Sequence, residues 1–198
     1  MAWSPLDGLD PALVQRAARI RLACFDVDGT LTDGRLYYDE EGREWKTFHS
    51  VDGQGLALLR RFGFALAFIT ARASPATEKR GAELGVETYV QEKDKLARVH
   101  LLCERLGIGL DQVAFLGDDL ADLAPLQKVG LAVAPGNAHP WVLEHVHWQT
   151  RARGGEGAAR ELCDVLLAAQ GHVPALLEAA GASGSSAART DVGASAGT

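Results

Sequence analysis

The sequence predicts an α/β fold, a doubly wound parallel sheet with a β-hairpin flap. Short apolar runs that stop abruptly at polar residues alternate with helical patterns, as in strands and crossover helices of a buried parallel sheet. The chemistry-bearing polar clusters follow those runs directly, where such a sheet binds ligands. A length of 198 residues suits a single domain.

Residues 1–19 lead in. Ser4, Pro5 and Asp10-Pro11 precede Leu13, Val14, Ala17 and Ala18, whose spacing predicts a short amphipathic helix. The domain itself is expected over residues 20–180. Its first strand is 20–25, interrupted only by Arg21 and ending in Asp26-Val27-Asp28-Gly29-Thr30. Further strands are expected at 64–69, ending at Thr70-Ala71-Arg72, then at 88–90, at 112–116 before Gly117-Asp118-Asp119, and at 130–133. Helical patterns fall at 55–62, 75–84, 93–106 and 119–129. Residues 35–48 depart from the alternation: aromatic arms around Asp39-Glu40-Glu41-Gly42 predict a hairpin that exposes Tyr37, Tyr38, Trp45 and Phe48. In 181–198, 15 of 18 residues are Gly, Ala, Ser or Thr, a composition that predicts a disordered tail.

Composition excludes several classes. With 26 acidic against 20 basic residues and a net charge of -6, a nucleic-acid partner is not expected. No stretch approaches the roughly 18 consecutive apolar residues of a membrane span, and no basic segment leads into an apolar run at the start. Neither secretion nor membrane attachment is expected. Cys24, Cys103 and Cys163 are too widely spaced for a disulfide framework or metal cluster and fit a reducing, cytoplasmic setting. His139, His145 and His147 lack a carboxylate or cysteine complement and are expected to be scaffold.

Asp26 and Asp28 lie two apart at a strand end, so alternation puts both carboxylates on one face. They repel unless a cation or shared proton relieves them. A capping turn and a catalytic pair are both open for this pentapeptide alone. Thr70 offers a hydroxyl with Arg72 beside it as a bidentate anion partner. Lys95 opens a helix where its ammonium could neutralise a cleft, although a solvated lysine fits the same pattern. Asp118, Asp119 and Asp122 suit a hard cation such as magnesium, or equally an acidic helix N-terminus.

The ordered set Asp-x-Asp, Thr, Lys, Gly-Asp-Asp resembles the haloacid dehalogenase superfamily. Within it, Asp26-Val27-Asp28-Gly29-Thr30-Leu31-Thr32-Asp33-Gly34, the segment 48–55, Ile69-Thr70-Ala71-Arg72, Gly117-Asp118-Asp119-Leu120, Ala138-His139-Pro140 and 154–161 resemble the family of 3-deoxy-D-manno-octulosonate 8-phosphate phosphatases. The similarity spans residues 20–170. Asp28 favours phosphoryl chemistry over carbon–halogen cleavage, which needs no acid at that place.

The resemblance implies a magnesium-dependent phosphoric monoester hydrolase in which Asp26 is nucleophile and Asp28 general acid and base. It implies that Asp26, the Asp28 carbonyl and Asp118 hold Mg2+, that Thr70 and Lys95 hold the phosphoryl group, and that Asp119 and Asp122 support them. His49, Ser50, Val51, Asp52 and Gly53 would line the sugar-acid site, with Asp28, Arg72 and Arg80 also facing substrate. Residues 154–160 would be a mobile segment folding toward the site. The intervals Asp26–Thr70 and Thr70–Lys95 are too short for a cap domain, so the fold is expected to be capless. Members of the family are homotetramers whose hairpin flap covers the neighbouring active site, and they serve lipopolysaccharide biosynthesis. Ala57 stands where relatives often carry arginine, which leaves nine-carbon 2-keto sugar acid phosphates (sialic-acid type), or sugar phosphates more broadly, as alternative substrates. A catalytically idle oligomerisation module of a cytidylyltransferase system is the alternative of another class. Retention of Asp26, Asp28, Thr70, Lys95 and Asp118 argues against it.

Overall fold

The computed structural model describes residues 3–181. Helix α1 (Pro11–Ala17) begins where the Asp10 carboxylate accepts the Ala12 N–H at 2.7 Å, with Pro11 suited to the first turn. Then follow β1 (Leu22–Phe25), the hairpin strands β2 (Tyr37–Tyr38) and β3 (Glu44–Trp45), α2 (Ser50–Arg61), β4 (Ala65–Ile69), α3 (Pro75–Leu84), β5 (Glu87–Tyr89) and α4 (Lys95–Leu106). The second half comprises β6 (Val113–Leu116), α5 (Leu123–Leu126), β7 (Leu131–Ala134), α6 (Pro140–Leu143), β8 (Trp148–Gln149), α7 (Ala158–Ala169) and α8 (Val173–Ala179).

Six strands form one parallel sheet in the order β5-β4-β1-β6-β7-β8, and β2 pairs antiparallel with β3 in a separate hairpin. The chain winds outward from β1 through β4 and β5, then crosses back to β6. That makes the β1/β6 boundary the topological switch point, where a crevice opens beyond the strand ends. Every β1 residue is buried and side chains alternate between two cores. Ala23 and Phe25 face Leu56, Leu59, Leu162 and Leu166 of α2 and α7. Leu22 and Cys24 face Val99, Leu102 and Val142 of α4 and α6. Burial of each large side chain contributes roughly 1.5–3 kcal/mol. All three cysteines are free and buried. Among the described residues no helix is long and apolar enough to cross a membrane.

The structure corrects the expected elements in several places. Helix α2 starts at Ser50 rather than 55, because the His49 ring accepts the Val51 N–H and caps it. Its glycines are not breakers: a Cβ on Gly55 would meet Cys163 Cβ at 3.0 Å, so glycine there permits the close approach of α2 to α7. The helix expected at 119–129 is a 3₁₀ turn (Leu120–Asp122) followed by the single turn α5, which holds Pro125. Residues 148–149 add a sixth strand that no apolar run announced. Phe48 packs against the α2/α7 core instead of standing exposed. Residues 158–160, expected to be mobile, begin α7, anchored by buried Leu162, Val165 and Leu166. The expectation of a disordered tail lies outside the described residues, apart from Gly181.

Asp52 joins α2 to α7. Its carboxylate accepts the Arg160 N–H at 2.8 Å, satisfying a donor that the start of a helix leaves unpaired. Burial raises the Asp52 pKa. Asp52→Ala is expected to lower stability by about 1–2 kcal/mol, the usual cost of a lost cap. Urea unfolding followed by circular dichroism measures it.

Candidate active site

Sheet register sets the site. Phe25 pairs with Phe68 on one side and Leu116 on the other, so Asp26 and Gly117 emerge level, with Thr70 and Asp118 one residue beyond. The ladder continues one step further, with Asp26 N–H donating to the Leu116 carbonyl and Thr70 N–H to that of Tyr89, both at 2.9 Å.

Three carboxylates meet there around one ammonium. Lys95, the first residue of α4, donates to Asp26 Oδ1 at 2.5 Å and to Asp122 Oδ1 at 2.6 Å. It is only 4% exposed, and Asp26 and Asp122 are buried with it. Ligand oxygens of Asp26, Asp118 and Asp122 lie within 4.8 Å of one another. Asp122 Oδ2 accepts the Asp118 and Asp119 N–H groups at 3.1 and 3.4 Å, so both its oxygens are engaged. Asp118 Oδ1 accepts the Thr30 hydroxyl at 2.9 Å. Among the described residues, the second oxygens of Asp26 and Asp118 have no lysine, arginine or N–H donor. Asp119 is exposed and caps the 3₁₀ turn by accepting the Leu120 N–H at 2.7 Å.

Electrostatics records the imbalance. Burial, and then the Asp122 charge, push Asp26 well above the usual carboxylate range despite Lys95. The same two causes raise Asp118 to about 6. Burial disfavours the Lys95 ammonium, but Asp26 and Asp122 outweigh it and leave its pKa raised. Three carboxylates against one ammonium leave two negative charges, a hard-oxygen donor set that fits a divalent cation.

Asp28 lies on the other side of the loop. It forms an ion pair with Lys46 of the hairpin, receives the Thr70 hydroxyl at 3.4 Å and has Arg72 Nε at 3.9 Å. Arg72 pairs in turn with Glu44. Thr70 is 1% exposed, with its hydroxyl also accepting the Arg72 N–H at 3.3 Å.

The remaining expected residues are placed differently. His49 is half-buried as the α2 cap, and Ser50 and Val51 are exposed beside it. Asp52 is turned away from the sugar-acid role expected of it, because the N–H groups of α7 attract its carboxylate inward. Gly53 is buried beneath the guanidinium of Arg80, which pairs with Glu83 at 2.8 Å and makes no hydrogen bond to the carboxylate cluster. The segment after β8 is seated, not loose: Gly154 N–H donates to Asn137 Oδ1 at 2.6 Å and Gly155 N–H to the Thr30 carbonyl at 3.1 Å. A Cβ on Gly154 would press on the carbonyls of Gly29 and Thr32, so only glycine lies this close to the Asp26 loop.

Sequence reasoning missed Thr30, Glu44, Lys46 and Asn137. For Glu44 and Lys46 a signal existed. Alternation along β3 places both on the face opposite the exposed Trp45.

Comparison with known proteins agrees with this geometry. A family profile described as haloacid dehalogenase-like hydrolase matches residues 85–162. The 3-deoxy-D-manno-octulosonate 8-phosphate phosphatase of Yersinia pestis is 43% identical over 159 residues, covering 80% of this chain and 85% of the relative. A hypothetical protein from Xanthomonas campestris superimposes with a TM-score of 0.89 at 59% identity, covering 90% of this chain and 98% of that one. The Moraxella catarrhalis 3-deoxy-D-manno-octulosonate 8-phosphate phosphatase, solved with magnesium, phosphate and KDO, gives 0.82 at 37% identity, covering 84% and 97%.

The raised Asp118 pKa has a thermodynamic signature. Between the ordinary value of 3.8 and about 6, the metal-free fold binds more protons than the unfolded chain, so its stability falls as pH rises. The contribution is on the order of 1–3 kcal/mol, complete at low pH and lost at neutral pH. Asp118→Asn is expected to flatten that dependence. Melting temperatures of both metal-free proteins at about pH 4 and about pH 7 measure it.

Proposed function

The chain belongs to the 3-deoxy-D-manno-octulosonate 8-phosphate phosphatase family of haloacid dehalogenase-like hydrolases, and we propose that it hydrolyses that eight-carbon sugar acid phosphate with magnesium. The observation that carries this reading is the set of buried Asp26, Asp122 and Lys95 with half-buried Asp118 at the strand ends, and Asp28 and Thr70 beside it. Asp26 is the nucleophile, and its attack on phosphorus gives an aspartyl phosphate, dividing one hard displacement into two easier ones. Asp28 protonates the departing alcohol and then takes a proton from the attacking water. Thr70 and Lys95 hold the phosphoryl oxygens where charge develops. Asp26, the Asp28 carbonyl and Asp118 would hold magnesium, which as a Lewis acid offsets repulsion between the nucleophile and the phosphate. Asp122 supports the site by holding Lys95 and the Asp118 loop, and Asp119 by capping the turn.

Arg72 and Arg80 supply positive charge on the substrate side, with His49, Ser50 and Val51 along the rim. Asp52 and Gly53 support that rim from beneath. The hairpin suits a role between subunits. The cross-strand pair Tyr37 and Trp45 is 40% and 63% exposed, an apolar surface on the outer face of the hairpin that a homotetramer would cover while shielding the neighbouring active site. Buried, unpaired cysteines suit a cytoplasmic setting.

Phosphate release from 3-deoxy-D-manno-octulosonate 8-phosphate, beside nine-carbon 2-keto sugar acid phosphates, tests the substrate. Strong preference for the eight-carbon ester is expected, with turnover lost on chelation and restored by magnesium. Asp26→Asn is expected to fold normally and lose at least about 10³-fold in kcat, since it removes the nucleophile. Preference for the nine-carbon esters would keep the mechanism and change the substrate. No release from any ester by a folded protein would leave an idle oligomerisation module. The double variant Tyr37→Ser, Trp45→Ser is expected to dissociate the tetramer and lower kcat/KM, and light scattering beside the assay measures both. A monomeric wild type would remove the quaternary proposal.

A further inference from the structure

The return arm of the hairpin sends Glu44 and Lys46 inward. The Lys46 side chain is 2% exposed and lies between two carboxylates, Asp28 Oδ1 and Glu44 Oε1, the latter at 2.9 Å. The other oxygen of Glu44 pairs with the Arg72 guanidinium, whose Nε lies 3.9 Å from Asp28 Oδ2. Asp28, Lys46, Glu44 and Arg72 therefore close a ring of alternating charge with no net charge. A lysine on a surface hairpin normally extends its ammonium into water. Holding it inward costs desolvation, which only well-placed carboxylates offset.

The ring leaves Asp28 little freedom. The Thr70 hydroxyl reaches its second oxygen only at 3.4 Å and Arg72 is further away, so the contact with Lys46 defines the orientation of the carboxylate. Glu44 and Arg72 hold Lys46 from behind, coupling the hairpin to the loop after β4.

We propose that Lys46 is a positioning residue for phosphoryl transfer, holding the Asp28 carboxyl group where it reaches the leaving oxygen of the ester. The inference rests on the phosphatase reading above, with Asp28 as general acid. That step starts with Asp28 protonated and the ring carrying one positive charge: the bond between phosphorus and Asp26 forms, the bond to the alcohol breaks, and the Asp28 proton passes to the departing oxygen, leaving Asp28 ionised and the ring neutral. In the second step Asp28 regains a proton from the water that attacks the aspartyl phosphate. A misplaced Asp28 fails first with leaving groups that most need the proton.

The test is kcat/KM, with magnesium, for aryl monophosphates graded from dinitrophenyl to phenyl phosphate. Acidic phenols depart as anions, whereas poorer leaving groups depend on the general acid. Lys46→Met is expected to lose about 100-fold on phenyl phosphate and less than about threefold on dinitrophenyl phosphate, steepening the dependence on leaving group. Asp28→Asn sets the limiting steepness, and Lys46→Arg is expected to recover most of the loss. A uniform fall across the series would overturn the proposal, making Lys46 a binding or structural residue, and so would an unchanged rate. Circular dichroism confirms folding, and Lys46→Gln is measured on the same series if Lys46→Met does not fold. A wild type that hydrolyses no phosphate ester removes the phosphatase reading. An active wild type with an unchanged slope in the variants removes the role of Lys46 alone.

Discussion

Three carboxylates share a buried pocket with a single ammonium, and the architecture around the strand ends answers to that shortage of positive charge. Asp26, Asp118 and Asp122 repel one another in a medium that screens poorly, and Lys95 contacts only the first and last. Asp122 is the member best supplied with partners, for it accepts Lys95 and two backbone N–H groups. Among the described residues, Asp26 and Asp118 keep one oxygen each without a lysine, arginine or N–H donor. The crowding of charge appears as raised pKa values for Asp26 and Asp118, and a divalent cation held there would offset it.

Rigid elements hold these charges against their repulsion. The β1/β6 boundary puts Asp26 and Asp118 at neighbouring strand ends, with the first residue of α4 supplying Lys95. On the opposite face α2 and α7 pack closely through Gly55, and Asp52 satisfies a backbone donor at the start of α7. That contact fixes the segment from which Gly154 and Gly155 lie on the loop carrying Asp28 and Thr30. The hairpin completes the enclosure from the other side through Lys46 and Glu44. Its outer face shows the cross-strand pair Tyr37 and Trp45, while Glu44 and Lys46 on its inner face touch the loops that carry Asp28 and Arg72.

Much of the parallel sheet was legible, since β1, β4, β6 and β7 are buried apolar runs that end at chemically distinctive residues. The sixth strand was not, because Trp148–Gln149 is a short edge strand with a polar member and carries no period. The start of α2 was hidden by glycines whose cost in an isolated helix is outweighed by the packing they allow. Residues 154–160 looked loose in composition, yet backbone hydrogen bonds and the apolar stripe of α7 seat them. At the site, Asp26, Asp28, Thr70, Lys95, Asp118 and Asp122 were each visible at or just beyond a strand end. For Lys46 and Glu44 the alternation of the hairpin arm showed only that both lie opposite Trp45, since a charged face looks the same whether it meets water or a carboxylate.

The sequence by itself determined the sheet, the identity of the charged groups at its carboxyl edge and their order, because local apolar runs and the residues that end them are properties of neighbours along the chain. Tertiary structure alone decided which charges meet. Lys95 faces Asp26 and Asp122 across 69 and 27 residues, and the Asp52 carboxylate meets the backbone N–H of Arg160 across 108. No local pattern encodes such pairings. They arise when burial removes water as the alternative partner and leaves each charge to find its complement in the fold.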